Sequence, residues 1–260
     1  MNRLLPVWTL WHREIIRFVR QRSRLLGSLS QPLLFWILLG SGIHASFRPP
    51  GLPSGRGYLE YFYPGALALV ILFTAIFATI SIVEDRRAGF LQGVLVAPVA
   101  RPLIVLGQML GATTLAVLQG FLFLLLSPVA GIALEPRMAA CSLAAMTLLA
   151  FEMTGLGLII AWHMESTQGF HAIMNLILMP LWLLSGAVFP AVGAAGWLGW
   201  VMRLNPLTYG MGLLRRSIYL GNPEAAGSLP PLLPSLLITG LFCFAALALA
   251  ATAATRRGRD

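Results

Sequence analysis

The sequence predicts an all-α integral membrane protein with six transmembrane helices. An N-terminal amphipathic interface helix precedes them, and a short re-entrant helix pair precedes the last span. Of the 260 residues, 58% are hydrophobic and only 10% are charged, whereas a soluble domain carries about 25% charged residues. Long apolar segments recur along the chain, and the first 24 residues carry apolar and basic side chains at helical spacing.

Residues 1–24 form the predicted interface helix. At 100° per residue, seven apolar side chains fall within one arc of about 120°, and arginines occupy the opposite side. The apolar side chains are Leu4, Val7, Trp8, Trp11, Ile15, Phe18 and Val19, and the arginines are Arg13, Arg17, Arg20 and Arg24. We expect the tryptophans at headgroup depth and the arginines toward anionic lipid. The helix is either a topology anchor or a platform that also contacts a cytoplasmic partner.

Six apolar segments are long enough to cross a bilayer, which takes about 20 residues. The predicted spans are residues 25–45, 62–83, 103–131, 138–162, 170–189 and 232–254, followed by a short tail at 255–260. The third span contains Gly107 and Gly111, a small-residue spacing that lets helices approach closely.

The stretch 84–102 interrupts the apolar pattern between the second and third spans. It opens with four consecutive charged residues, which are Glu84, Asp85, Arg86 and Arg87. These side chains cannot lie in hydrocarbon, so the stretch must leave the membrane. Apolar residues then recur at helical spacing at Phe90, Leu91, Val94 and Leu95, and Pro98 ends the run. This pattern predicts a short helix with an apolar face that is suited to docking.

Residues 194–219 are predicted as two half-helices. Gly196–Leu204 is a short apolar piece, and Asn205 with Pro206 then forms an N-cap followed by proline at the first helical position. Neither piece is long enough to cross the membrane. A pair that dips into one leaflet under the cover of other helices fits this pattern.

Glu152 lies near the middle of the fourth predicted span. A lone acid at that depth is costly and should face the protein interior or a water-filled cavity. Three roles stay open for it: lining a pathway, relaying a proton, or hydrogen bonding to a neighbouring helix.

The arginines predict the orientation. With the N-terminus inside, the inner segments hold twelve arginines and the outer segments hold six. The positive-inside rule then places both termini and stretch 84–102 in the cytoplasm, and the half-helices outside. The net charge of +9 points to anionic lipid rather than nucleic acid.

Several kinds of chemistry are not expected of this chain. It has no lysine and therefore no G-x-x-x-x-G-K-[ST] loop for ATP. The four histidines lack metal-ligand spacing, so we expect no metal site. No catalytic residues are predicted.

Three segments resemble the type-2 ABC transporter permeases, the membrane subunits of exporters of drugs, polyketides, lipo-oligosaccharides and cell-surface glycans. They are EDRRAGFLQGVLVAPVAR at 84–101, MNLILMPLWLLSGAVFP at 174–190 and RLNPLTY at 203–209. Residues 164–175 are most similar to the drug-export and nodulation-factor-export branch. The resemblance covers essentially the whole chain.

The resemblance implies a permease without its own ATP site in a bacterial cytoplasmic (inner) membrane. It implies a second permease copy and two copies of a separate ABC ATPase, which holds the ATP and Mg. The family's coupling helix corresponds to Arg87–Ala97, its interface helix to 4–24 and its extracellular re-entrant helices to 194–219. The expected coupling residues are Glu84, Asp85, Arg86, Arg87, Gly89, Phe90, Leu91, Val94 and Leu95. The expected interface-helix residues are Trp8, Trp11, Arg13, Arg17 and Arg20.

A docking role agrees with physical expectation. A rigid-body motion of the ATPases needs a stiff handle on the permease. Phe90 and Leu91 are expected to anchor in a groove, and Arg86 and Arg87 to pair with acids at its rim.

The sequence therefore predicts an export permease for an amphipathic, drug-like or lipid-linked substrate. Candidate pathway residues are Glu152, Phe73, Phe77, Phe151 and Trp182. Two alternatives stay open: a proton-coupled secondary transporter that uses Glu152, and a non-transporting membrane scaffold.

Overall fold

The computed structural model describes residues 4–42, 57–189, 195–222, 226 and 229–256, with the backbone alone described at 22–26, 95 and 256. Within these ranges the chain is helical and has no strand. The α-helices are Leu5–Arg20 (α1), Arg22–Gly42 (α2), Tyr58–Ala78 (α3), Ser81–Arg87 (α4), Phe90–Val96 (α5), Arg101–Leu124 (α6), Pro136–His163 (α7), Thr167–Trp182 (α8), Gly196–Leu204 (α9), Pro206–Ile218 (α10) and Leu232–Arg256 (α11). A 3₁₀ turn at Ser127–Ala130 follows α6, and a π turn at Leu183–Ala187 follows α8.

Five segments of the described chain have the length and apolar composition to cross a membrane. They are Tyr58–Arg87, Arg101–Leu124, Pro136–His163, Thr167–Ala187 and Leu232–Thr255. They overlap the second to sixth predicted spans. The first predicted span, 25–45, overlaps α2, which is not among the five, and residues 43–45 lie outside the described residues. A sixth span therefore stays a prediction.

The second span is longer than the predicted 62–83. Residues 58–61, which lie before the predicted start of the span, belong to α3, and α4 extends the helical segment to Arg87. The charged residues 84–87 are therefore the last turn of the helical segment that contains the second span, rather than part of a stretch separate from it. Arginines of α1 form hydrogen bonds with the two acids of this turn. α3 is the central helix, since nearly all of its residues are buried.

The third span ends earlier than the predicted residue 131. Its α-helix stops at Leu124, and the 3₁₀ turn includes Pro128, which has no backbone N–H to continue an α-helix. Gly131 then adopts φ 81°, a left-handed conformation that glycine tolerates best.

α1 packs along α6 at the predicted pair of glycines. A Cβ atom on Gly107 would lie 3.0 Å from Leu10 Cβ, and one on Gly111 would lie 2.7 Å from Glu14 Cβ. The two helices approach so closely because neither glycine carries a side chain. The glycine pair of α6 therefore allows a close helix–helix approach, and the helix that packs against it is α1.

The buried face of α1 differs from the predicted apolar arc. Its buried residues are Val7, Leu10, Glu14 and Phe18, whereas Leu4, Trp8 and Val19 are more than half exposed. The face is rotated because the ion pairs of Arg13 and Arg17 with α4 help to orient the helix.

The predicted pair of short helices is present as α9 and α10. The Asn205 side chain accepts a hydrogen bond from Leu207 N–H at 3.0 Å, and Pro206 follows at the first helical position. α10 is buried against α7 and α11, whereas much of α9 is exposed. Residues 190–194 lie outside the described residues. The dipping of this pair into one leaflet stays a prediction.

Candidate functional site

The candidate site is the end of the second span, where α4 turns through Gly89 into α5. Gly89 has φ 75°, and a Cβ atom there would meet nothing within 4 Å. The glycine is therefore needed for its left-handed backbone rather than for space. α5 covers Phe90–Val96, within the predicted coupling segment Arg87–Ala97, and α6 begins at Arg101.

Two arginines of α1 bind the two acids of α4. Arg13 donates from Nη1 and Nη2 to Asp85 Oδ2 and Oδ1 at 2.7 and 2.6 Å. Arg17 donates from Nη1 to Asp85 Oδ1 at 2.8 Å and from Nη2 to Glu84 Oε2 at 2.6 Å. We call these four residues the α1–α4 network. Paired guanidinium–carboxylate hydrogen bonds of this kind combine strength with a defined geometry.

The surroundings of the network change the proton affinity of two α1 side chains. The hydrogen bonds to Asp85 raise the pKa of Arg13 above its ordinary value, against the opposing effect of burial. Burial raises the pKa of Glu14, although the nearby charges of Arg13 and Arg17 act in the opposite direction. The Asp85 side chain is only 5% exposed, and both of its oxygens accept hydrogen bonds from arginines of α1.

Arg86 binds this chain rather than facing outward. It donates from Nη1 to the Met164 carbonyl at 2.7 Å and from Nη2 to the Trp162 carbonyl at 3.0 Å. These carbonyls lie at the C-terminus of α7, where a positive charge is favourable. This geometry corrects the expected pairing of Arg86 with acids of a partner, whereas Arg87 is exposed and stays available.

The two expected docking anchors lie in different environments. Phe90 is 44% exposed, and the Arg13 guanidinium lies 4.0 Å from the centroid of its ring. Leu91 is only 3% exposed and belongs to the hydrophobic core of this chain. This corrects its expected role, since a side chain that packs inward cannot insert into a partner's groove.

The remaining surface of α5 is the part that a partner can reach. Val96 is 86% exposed, Gln92 is exposed and Val94 is half-buried. The side chain of Leu95 lies outside the described residues. These exposed residues, together with Arg87 at the end of α4, form what we call the α5 surface, which consists of Arg87, Phe90, Gln92 and Val96.

The predicted interface-helix residues divide into two groups. Trp8 is 60% exposed and Arg20 is exposed, as expected for side chains that face a membrane surface or solvent. Trp11 donates from Nε1 to Thr114 Oγ1 on α6 at 3.0 Å. Arg13 and Arg17 bind α4 rather than facing lipid, which corrects the expected orientation of these two arginines.

Glu152 lies in the packed interior, with no exposed surface. Neither of its carboxylate oxygens has a hydrogen-bond partner among the described residues. A Cβ atom on Gly210 would lie 3.2 Å from Oε2, so the carboxyl group faces α10. The expectation that Glu152 faces the interior is met, and its role stays open.

The aromatic pathway candidates occupy mostly packed positions. Trp182 is 3% exposed and donates from Nε1 to the Gly65 carbonyl at 2.9 Å, so it joins α8 to α3. Phe73 is buried against Phe77, and Phe151 is half-buried. Phe77 is half-buried and lies 5.1 Å from the ring of His171, between centroids. Of these four, Phe77 and Phe151 are the less buried.

Sequence reasoning missed the role of Arg215. This side chain is 3% exposed, lies 4.3 Å above the Tyr61 ring and donates to the Gly186 carbonyl at 3.2 Å. It thus joins α10 to α3 and to the π turn. The sequence carried a partial signal, because Arg215 and Arg216 follow the apolar residues 210–214 in this short helix.

The described residues contain no cluster of potential metal ligands. Across these ranges, no three His, Cys, Asp or Glu side chains come together in a group that could hold a metal ion. Within stretch 84–102, α4 is held by hydrogen bonds to α1 and to the end of α7.

Comparison with known proteins assigns this architecture to a family. A family model described as ABC-2 type transporter matches residues 6–219. The chain is 30% identical over 206 residues to the transport permease ycf38 of Cyanophora paradoxa, covering 78% of this chain and 70% of that protein. It is 28% identical over 219 residues to Nodulation protein J of Rhizobium meliloti (strain 1021), covering 82% of this chain and 80% of that protein. The helical fold with its apolar spans and the matched range lead to one conclusion: this chain belongs to the ABC-2 type transporter family of membrane permeases.

Proposed function

We propose that this chain is the permease subunit of an ABC exporter and that a separate ABC ATPase drives it. The observation that carries the proposal is the α1–α4 network, which attaches the N-terminal helix to the turn that presents α5. Arg13 binds both oxygens of Asp85, and Arg17 bridges Asp85 and Glu84, all at 2.6–2.8 Å, so this corner is held stiffly. A stiff corner at the end of a spanning helix is what a rigid-body motor needs to push against.

The contacts of α5 provide routes for that motion into the membrane. Leu91 fixes α5 to the core, and α4 continues from α3, the central helix. α1 carries the same displacement to α6 through the close contacts at Gly107 and Gly111. Arg86 carries it to the end of α7. A force on the α5 surface would thus reach three spanning segments together.

The assembly we propose has two permeases and two ATPases in a bacterial cytoplasmic membrane. Both termini and α5 lie on the cytoplasmic side, where ATP is available. The arginine asymmetry of the sequence supports this orientation. The exported substrate is amphipathic, drug-like or lipid-linked, which rests on the resemblance of residues 84–101 and 174–190 to exporter permeases.

The test is affinity purification of the tagged chain from its native membrane, with the bound proteins identified by mass spectrometry. We expect an ABC ATPase to co-purify, and Phe90→Asp or Val96→Asp to reduce its recovery at least tenfold, because a buried hot-spot contact is worth about 2 kcal/mol or more. Val129→Asp is the matched control, since Val129 is 69% exposed and lies beyond α6, at the other end of that span. Leu91→Asp is unsuitable because it would disrupt the permease core.

Transport itself is measured in inverted membrane vesicles. ATP-dependent accumulation of an amphipathic dye is expected with the wild-type chain and with Val129→Asp, and its loss with Phe90→Asp. Co-purification that survives both α5 variants would show that α5 is not the docking surface. Absence of any ABC ATPase together with absence of ATP-dependent transport would favour the scaffold alternative.

A further inference from the structure

Side-chain hydrogen bonds from other helices are concentrated at the C-terminal end of α8 and in the π turn that follows it. Three main-chain carbonyls there accept hydrogen bonds from buried side chains of α3 and α10. Asn205 Nδ2 donates to the Leu181 carbonyl at 2.7 Å, Arg215 Nη2 to the Gly186 carbonyl at 3.2 Å, and the Tyr58 hydroxyl to the Val188 carbonyl at 3.1 Å. We call these three donors and the three residues that they bind the α8 anchor.

The π turn at the α8 anchor also lies very close to the central helix. A Cβ atom on Gly65 would overlap the carbonyl oxygen of Ala187 and lie 3.0 Å from its carbonyl carbon. Trp182 donates from Nε1 to the Gly65 carbonyl at 2.9 Å. The Arg215 guanidinium lies 4.3 Å from the centroid of the Tyr61 ring. The turn is therefore held from two sides, by α3 and by α10, which is itself buried against α7 and α11.

The remainder of α8 is attached to the chain more weakly. Its buried residues form a single row, which consists of Phe170, Met174, Leu178 and Trp182. Its other side chains are half-buried or exposed, and it packs only lightly on α3 and α7. Pro180 has no backbone N–H and so removes one helical hydrogen bond near the anchored end. A helix that is fixed at one end and held elsewhere by one row of apolar contacts can swing about the fixed end.

The opposite end of α8 begins next to α4. Arg86 of α4 binds the carbonyls of Trp162 and Met164, and α8 starts shortly afterwards at Thr167. Ser166 caps this first turn, since its Oγ accepts a hydrogen bond from the Gly169 N–H at 3.0 Å. A displacement of α4 therefore reaches the first turn of α8 through a short connection.

We propose that α8 is a lever that pivots on the α8 anchor and that Arg215 is a positioning residue of this pivot. A displacement of α4 moves the first turn of α8, while the anchor keeps the other end fixed to α3 and α10. The displacement of each residue is then proportional to its distance from Gly186. At 1.5 Å per residue, this distance is about 27 Å for Gln168, about 15 Å for Leu176 and about 5 Å for Leu183. The inference rests on the proposed function, since the ATPase supplies the displacement.

Spin-label distances in the complex of permease and ATPase test the pivot. The native cysteines are replaced by alanine, and labelled copies are diluted with unlabelled ones. Leu237→Cys on α11 is the reference, and it is paired in turn with Gln168→Cys, Leu176→Cys and Leu183→Cys, all at exposed positions. On addition of a non-hydrolysable ATP analogue, we expect the distance shift to decrease along α8 in a ratio of about 6:3:1. Equal shifts at the three positions, a largest shift at Leu183, or no shift at any of them would overturn the proposal.

A second measurement tests Arg215 itself. In Arg215→Gln, the amides of residues 184–188 should exchange with deuterium at least tenfold faster, because a hydrogen bond from a charged donor contributes about a factor of ten or more. The shift at Leu183 should also grow, whereas recovery of the ATPase should not change. Arg215→Lys keeps a charged donor and should restore part of the protection. Arg216→Gln is the matched control, since Arg216 donates to the Pro230 carbonyl, outside the α8 anchor; equal acceleration in this control would overturn the role of Arg215.

These outcomes are separable from failure of the proposed function. If an ABC ATPase co-purifies but the shifts along α8 are equal, the pivot is wrong and the exporter assignment stands. If no ABC ATPase is recovered, the proposed function fails, and deuterium exchange in Arg215→Gln still decides whether the α8 anchor fixes this end of the helix.

Discussion

Replacement of Arg13 by glutamine should release the N-terminal helix from α4. The change removes two charge-assisted hydrogen bonds to Asp85, at 2.7 and 2.6 Å, and the guanidinium that lies 4.0 Å from the centroid of the Phe90 ring. Glutamine cannot restore the bidentate geometry. The backbone of α1 and its buried apolar face are left unchanged.

The magnitude follows from the burial of the pair. Removing one partner of a buried ion pair costs about 3–5 kcal/mol when the other charge is left uncompensated. Asp85 keeps one bond, from Arg17, and the Arg13 side chain is 28% exposed, so water screens part of the interaction. We therefore expect about 2 kcal/mol, which corresponds to an opening equilibrium about 30-fold more favourable.

Hydrogen–deuterium exchange in lipid nanodiscs measures this opening directly. Amides of α1 should exchange about 30-fold faster in Arg13→Gln, because local opening controls their protection. Arg20→Gln is the control with the same charge change, since Arg20 is exposed on the same helix and forms no ion pair with a described residue. Asp85→Asn combined with Arg13→Gln should cost less than the two changes added.

Unchanged exchange of α1 in Arg13→Gln would refute the reasoning, since the network would then contribute nothing to the attachment of the helix. Equal acceleration in Arg20→Gln would refute it as well. That result would attribute the effect to net charge near the membrane rather than to the bond with Asp85.

Three further changes test other contacts. Gly111→Val should lower the thermal midpoint by an amount that reflects about 1–3 kcal/mol, because its side chain would overlap Glu14 Cβ. Gly240→Val is the control and should have little effect, since nothing lies within 4 Å of a Cβ atom at that position. Equal effects of the two changes would contradict the packing argument. Glu14→Gln should raise the thermal midpoint at neutral pH. Burial raises the pKa of Glu14 in the folded state above the ordinary 4.5. The folded protein therefore favours the protonated side chain, and the resulting contribution to the free energy of unfolding is fully present below pH 4.5. It is lost as the pH rises through the folded-state pKa. If the thermal midpoint of Glu14→Gln varied with pH above 4.5 as that of the wild type does, the raised pKa of Glu14 would not be the cause. Glu152→Gln should preserve ATP-dependent transport in inverted vesicles; loss of transport with normal ATPase binding would instead support the proton-coupled alternative.

Local patterns along the chain were sufficient for much of the architecture. The apolar segments marked the positions of five spanning helices, because hydrocarbon selects composition over a window of about 20 residues. The Asn205–Pro206 cap and the short helix after Gly89 were likewise predictable, since caps and turns depend on residues that are close in sequence. The end of the third span at Leu124 was missed, although Pro128 was visible in the sequence.

Contacts between distant segments could not be predicted in this way. Arg13 and Asp85 are 72 residues apart, and the sequence alone suggested lipid for one and a partner or solvent for the other. Leu91 and Phe90 are adjacent and similar in character, yet one packs inward and the other is exposed. Helical spacing alone does not say which side of a short helix the rest of the protein covers.

The sequence by itself determined that this chain is a helical protein with apolar, membrane-spanning segments, where most of these segments run and where the short helix after Gly89 lies. These properties follow from composition and local spacing, because each segment crosses a bilayer according to its own length and apolar composition. The tertiary structure decided which arginines stay available for lipid, that Leu91 belongs to the core, and that Arg215 of α10 is buried against α3. Those properties depend on how each helix is rotated about its axis, and only packing against its neighbours determines that rotation.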